Sequence, residues 1–111
     1  IQVKCSAYGY FDPRLSWVRK IKKSDLLLKH EQLHFDISEL YSRYFEQRMK
    51  SFQFSENVSN EVDSIYTVTF NELLDAQIEY DSISEHYLNK EGQKKWEIFV
   101  KEELDKLKEF E

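Results

Sequence analysis

Apolar residues and two histidines recur at spacings of three and four along the middle of the chain. Leu26, Leu27, His30, Leu33, His34, Ile37, Leu40, Tyr41, Tyr44 and Phe45 fall on one side of a 3.6-residue repeat. The spacing predicts one long helix that ends near Phe52. Ser24-Asp25 supplies its start, because a Ser side chain accepts unpaired N–H groups of the first turn and Asp suits the positive end of the helix. Polar sequence around Ser55 to Asn60 interrupts the pattern. A second helix then carries Val62, Ile65, Thr69, Leu73, Ala76, Tyr80 and Ile83 on one face, although the β-branched and aromatic run from Tyr66 to Phe70 pulls against it. Asn89 to Gly92 reads as a further break. A last helix turns Trp96, Phe99, Val100, Leu104 and Leu107 inward.

The beginning of the chain has a different period. Residues 1–11 alternate apolar with small or polar groups, as a half-buried strand does, and Cys5 falls in step with Ile1, Val3 and Ala7 as a small buried residue. Asp12-Pro13 marks a turn. Leu15, Trp17, Val18 and Ile21 continue as a second strand or an irregular bridge. The expectation is therefore an α+β fold: a small N-terminal β-sheet followed by three helices, the first of them long. The start at Ile1 rather than Met, within strand-like sequence, is what a processed or trimmed product would show, any signal peptide or earlier strand being already absent.

Composition narrows the choice of partner. At 111 residues the chain is one domain, residues 1–111, and eight Phe, seven Tyr and two Trp supply its core. No apolar run approaches the roughly 20 residues that span a bilayer. A net charge of −5 disfavours nucleic acid. The one basic cluster, Arg19-Lys20-Ile21-Lys22-Lys23, reads as a solvated approach to the first helix. Cys5 is the single cysteine, which rules out an internal disulfide.

The chemistry lies in His30-Glu31-Gln32-Leu33-His34. Histidines four apart on a helix share a face one turn apart, so both imidazoles can reach one ion, and neutral imidazole suits zinc. Glu31 is offset by about 100° from His30, and its longer side chain can swing alongside the ion as general base toward a water that the ion acidifies. Random order of this composition gives the pattern roughly once in a hundred chains, so its position on a helix and on the apolar stripe matters as much as the match itself. Two core histidines bonded to neighbours are the bland alternative.

A third ligand is needed. From His34 to the break near Ser55 is about 21 residues, or about 31 Å of helix at 1.5 Å per residue, so an antiparallel return from Asn60 comes level with His34 at about residue 80. His86, the remaining histidine, lies about a turn beyond and is favoured as ligand because imidazole is the commoner zinc partner. Asp81 competes for that position or stands behind a ligand, its carboxylate accepting the outer N–H of a ligating histidine and so fixing ring orientation and tautomer. Glu39 rotates off the face. Asp36 points away from the ion, toward Arg14 or Arg43. Tyr80 and Tyr87 flank the segment, and a phenol there can donate to an oxyanion, with Tyr80 the catalytic candidate beside Glu31.

Lys29 to Leu40, KHEQLHFDISEL, resembles the His-Glu-Gln-Gly-His-Phe-Asp motif of the bacterial domain-of-unknown-function family 922, a zinc-dependent protease-like, zincin-type family. Tyr80, Asp81, Ser84 and His86, followed by Gln93 and Trp96, resemble that family's Tyr-Asp-x-x-Thr-x-His-Gly block with a downstream Gln and Trp, and Ser16-Trp17-Val18 matches upstream. Three blocks in the same order cover most of the chain. Leu33, Ser84 and Tyr87 depart from that family's small residue, Thr and Gly, and Tyr87 is placed to narrow the cleft. The resemblance implies His30, His34 and His86 as ligands of one zinc ion, Glu31 as catalytic base, and a secreted or periplasmic setting.

Together these features describe a minimal zincin-like metallopeptidase acting on a peptide or protein substrate, with residues 1–8 offering an edge strand to extended substrate. The alternatives are a non-catalytic zinc site that ties helices together and a metal-free interaction module.

Overall fold

The computed structural model describes residues 25–85 and 88–111. They form three helices, α1 (Asp25–Ser51), α2 (Val58–Ser84) and α3 (Lys90–Lys106), followed by a short 3-10 turn at Lys108–Phe110. The described residues contain no strand, so the α+β expectation is corrected to an all-helical arrangement. The sheet expected over residues 1–11, the turn at Asp12-Pro13, Cys5, the basic cluster at 19–23 and the Ser24 cap lie outside the described residues, as do His86 and Tyr87. No helix among the described residues is long and apolar enough to cross a membrane.

Side-chain pairings give the directions of the helices. His30, His34 and Arg48 of α1 meet Ser84, Gln77 and Thr69 of α2, in falling order, so the two helices are antiparallel. His30, Arg43 and Tyr44 meet Gln93, Leu104 and Glu103 of α3, so α3 runs parallel to α1. The core lies between the three: Leu33 and Ile37 from α1, Ala76 and Tyr80 from α2, and Val100 from α3, with Tyr41, Leu73, Trp96 and Leu104 packed around them. These residues recur at three and four on each helix, which is why three amphipathic segments close on one centre.

Helix α1 ends at Ser51, as its stripe predicts. Helix α2 runs unbroken through Tyr66 to Phe70. The packed face formed by Thr69, Leu73, Ala76 and Tyr80 outweighs local β-preference, and Tyr66, Val68 and Phe70 stand exposed on the flank. Two expected inward residues face out, Ile83 at 41% and Phe99 at 47% exposure. Three helices enclose only a narrow sector of each, so the edges of a predicted stripe stay open.

Helix α2 stops at Glu85, which takes a left-handed conformation (φ 49°) and returns its N–H to the Asp81 and Ser82 carbonyls. Asn89 then caps α3 by accepting from the Gly92 N–H at 3.0 Å. Gly92 therefore sits inside the first turn of α3 and is not part of a break. A Cβ there would stand 2.4 Å from the Ile83 carbonyl oxygen. Only glycine lets the start of α3 approach the end of α2 this closely, and that approach carries the next residue, Gln93, to His30.

Candidate metal centre

His30 and His34 lie one turn apart on α1, with ring centroids 4.8 Å apart and planes at 85°. His30 is buried at 2% exposure, while His34 is partly open. Opposite them, Gln77, Tyr80, Asp81 and Ser84 occupy successive turns of one face of α2. The two rings converge on a single atom. His30 Nε2 is 2.8 Å and His34 Nε2 is 2.7 Å from Asp81 Oδ1. The length estimate that brings residue 80 level with His34 is thus met by the observed register.

The far side of each ring faces a glutamine. His34 Nδ1 meets Gln77 Oε1, and His30 Nδ1 lies 3.0 Å from Gln93 Oε1. The amide orientations follow from their other partners. Gln77 Nε2 donates to the His34 backbone carbonyl at 2.9 Å and to Ser38 Oγ at 3.2 Å, and a carbonyl can only accept. Gln93 Nε2 donates to the Glu97 carboxylate at 3.3 Å. Each glutamine therefore presents its oxygen to an imidazole. Ser84 Oγ donates to the Tyr80 carbonyl at 2.7 Å, which leaves a lone pair toward His30 Nδ1 at 3.4 Å.

All four ring nitrogens thus face oxygen acceptors. Two neutral imidazoles carry two N–H groups between them, so two nitrogens would present lone pairs to oxygen. Either two added protons or one divalent cation, set among the two Nε2 atoms and Asp81, resolves the mismatch. Protonating both rings would put an imidazolium charge on His30, which is removed from water, and such burial is costly. A dication taken by neutral imidazoles and a carboxylate is an ordinary zinc ligand chemistry.

Asp81 is poised as an anion. Burial opposes its ionisation, but the charge and hydrogen bond of His34, and then those of His30, outweigh burial and hold its carboxyl below the usual aspartate range. Glu31 belongs to the same constellation: ligand atoms of His30, Glu31 and His34 lie within 4.8 Å of one another. The pair formed by His30 and His34 with Glu31 is therefore assembled, with Asp81 added to it, while His86, the favoured third ligand, lies outside the described residues.

Tyr80 takes a different place from the one its sequence position suggests. It is fully buried, its ring stacks on His30 at 4.5 Å, and its hydroxyl lies 2.9 Å from the His30 carbonyl and 2.7 Å from Gln93 Oε1. Burial pushes its phenol above the ordinary range, so the group stays a neutral donor. With both acceptors internal, Tyr80 braces His30 instead of reaching toward a substrate. Asp36 accepts from Gln32 at 2.9 Å, and Arg43 pairs with Glu39 and with the Leu104 carbonyl; of the two expected partners of Asp36, Arg43 is thus engaged elsewhere and Arg14 lies outside the described residues.

Gln77 is the residue that sequence reading missed. One signal was available: it falls a turn before Asp81 on the face that returns to His34. No family model matches the chain, and neither a curated protein nor a solved structure is similar enough to register as a match.

Proposed function

We propose that this chain binds one zinc ion through His30, His34 and Asp81, and that Glu31 is the general base of a peptide-bond hydrolase. The observation that carries the reading is the proton shortfall: each of the four imidazole nitrogens faces an oxygen, and both Nε2 atoms share Asp81 Oδ1. The resemblance of the three sequence blocks to the zinc-dependent protease-like family 922 adds support from the motif side. That family's pattern would bring His86 to the ion as well.

Zinc held there supplies a Lewis acid that polarises a carbonyl and acidifies water. The chain's own groups do the rest. His30 and His34 fix the ligand face, and the Asp81 carboxylate offsets part of the charge. Glu31 takes the proton from the attacking water and delivers it to the departing amine as the C–N bond breaks. Its carboxylate is within reach of the ligand nitrogens, as such a base requires.

A second reading, a zinc ion that ties α1 to α2 without turnover, draws support from the burial of His30 and the closing carboxylate of Asp81. Glu31→Gln separates the two. Under the catalytic reading the variant retains one zinc per chain and loses hydrolysis of unstructured peptides. Activity undiminished in that variant removes Glu31 from the mechanism. A wild-type chain that binds zinc and cleaves nothing leaves the structural reading.

A further inference from the structure

Gln77 is partly buried, carries no charge and belongs to no motif, yet both ends of its amide are engaged at the site. Its nitrogen grips α1 through the His34 carbonyl and Ser38 Oγ, and its oxygen meets His34 Nδ1. Gln93 does the same for His30 from another helix: its nitrogen is held by Glu97, and its oxygen takes His30 Nδ1. Two unrelated positions, on α2 and α3, thus converge on the same chemistry at the outer nitrogen of each ring.

A metal-ligating imidazole ordinarily donates its second N–H to an acceptor that fixes its tautomer and orientation. An amide oxygen oriented by its own nitrogen is such an acceptor, and unlike a carboxylate it adds no charge. We infer that Gln77 and Gln93 are positioning residues that hold His34 and His30 as Nδ1–H tautomers, so that both bind a metal ion through Nε2 on the side of Asp81. This assignment rests on the metal-binding reading above and adds to it which nitrogen ligates and what selects it. The neutral glutamines add no negative charge to that of the Asp81 and Glu31 carboxylates beside the two rings.

The design makes Gln77 the better probe, because it is less buried than Gln93 and its replacement leaves the Tyr80 contacts intact. Gln77→Leu removes both the acceptor and the grip on α1. Gln77→Glu keeps an acceptor at the ring but gives up the amide nitrogen that bonds the His34 carbonyl. Zinc affinity is measured by chelator competition for wild type and both variants, and the ligating nitrogens are identified from couplings between cadmium-113 and ¹⁵N-labelled imidazoles in the cadmium-loaded wild type. Couplings to Nε2 of His30 and His34 are expected. Zinc affinity is expected to fall about 10–100-fold in Gln77→Leu and to be retained in Gln77→Glu.

A merely structural role would lower affinity alike in both variants, since both lose the bond to the His34 carbonyl, and that result overturns the inference. So does coupling to Nδ1, or a Gln77→Leu chain that binds zinc as tightly as wild type. Absence of any coupling to either histidine instead sinks the metal-binding reading on which the inference stands.

Discussion

Around Arg48, near the C-terminal end of α1, donors and acceptors match. The guanidinium donates to Thr69 Oγ1 at 2.8 Å and to both oxygens of Glu72, and Thr69 passes its own proton to the Ile65 carbonyl at 2.8 Å. Some 21–27 Å away along α1, at roughly 1.5 Å per residue, His30 and His34 show the opposite arithmetic. Their ring nitrogens meet only oxygens, with too few protons to serve them. Both clusters are polar, both join α1 to α2, and both are partly shielded from water. A cluster whose protons balance is complete as a cross-link. One whose protons fall short needs either further protons or a cation, and the proposed zinc ion is the second of these.

The sharpest way to break that contrast is to remove a ligand at the unbalanced end. His34→Ala is expected to abolish stoichiometric zinc, and with it the whole zinc-dependent gain in stability, which for wild type is about 2.7 kcal/mol at a free zinc concentration one hundredfold above Kd. Metal analysis after dialysis, paired with thermal melts with and without zinc, reads both. If His34→Ala retains the gain, the histidines are not the ligands.

A smaller effect comes from the junction that delivers Gln93. Gly92→Ala places a methyl against the Ile83 carbonyl, and the overpacking is expected to cost about 1–3 kcal/mol in denaturant unfolding while displacing Gln93 from His30. Loss of stability with unchanged zinc affinity would show that Gly92 matters to packing alone.

At the balanced end, Arg48→Met is expected to cost no more than about 1 kcal/mol, since the side chains of the Arg48–Glu72 pair are only partly shielded, at 38% and 43% exposure, and to leave zinc binding untouched. A large drop in zinc affinity in this variant would mean that the two clusters are coupled and the contrast is false.

The smallest effect is on acid stability. The Asp81 carboxyl is depressed below its ordinary value of 3.8, so in the metal-free chain it contributes stability that is fully present above that value and is lost as pH falls through the lower, folded one. Asp81→Asn is expected to flatten that limb of an acid-unfolding curve followed by far-ultraviolet circular dichroism. An unchanged limb would remove Asp81 as a source of the acid response.

Much of this was legible in the sequence because helices advertise themselves. The stripe from Leu27 to Tyr44 gave α1 and its end, and simple rise per residue brought Asp81 level with His34, where it is found. The strand-like alternation ahead of Asp25 led to an α+β expectation that the three described helices do not meet, because a period of two says nothing about what the rest of the chain provides as a neighbour. The stripe places Ile83 and Phe99 inward, but periodicity locates a stripe and not the width that neighbours cover, and both stand exposed. Gly92 looked like a breaker, since the sequence shows a residue without a side chain but not the Ile83 carbonyl against which that lack is used. A phenol near a metal motif suggests an oxyanion donor, and the buried acceptors that give Tyr80 its bracing place are visible only once α1 and α3 are in place. Gln77 was invisible for a related reason: a glutamine on a helix is usually solvated, and only pairing with His34 across two helices gives it a role.

The direct measurement is X-ray absorption at the zinc edge on chain loaded with one equivalent of zinc. Two imidazole nitrogens at about 2.0–2.1 Å together with carboxylate oxygen at about 2.0–2.2 Å are expected, and His34→Ala is expected to retain no equivalent of zinc to give that signal. Failure to retain one equivalent, or a coordination shell without imidazole, would contradict the claim that the unbalanced histidine pair exists to hold a cation.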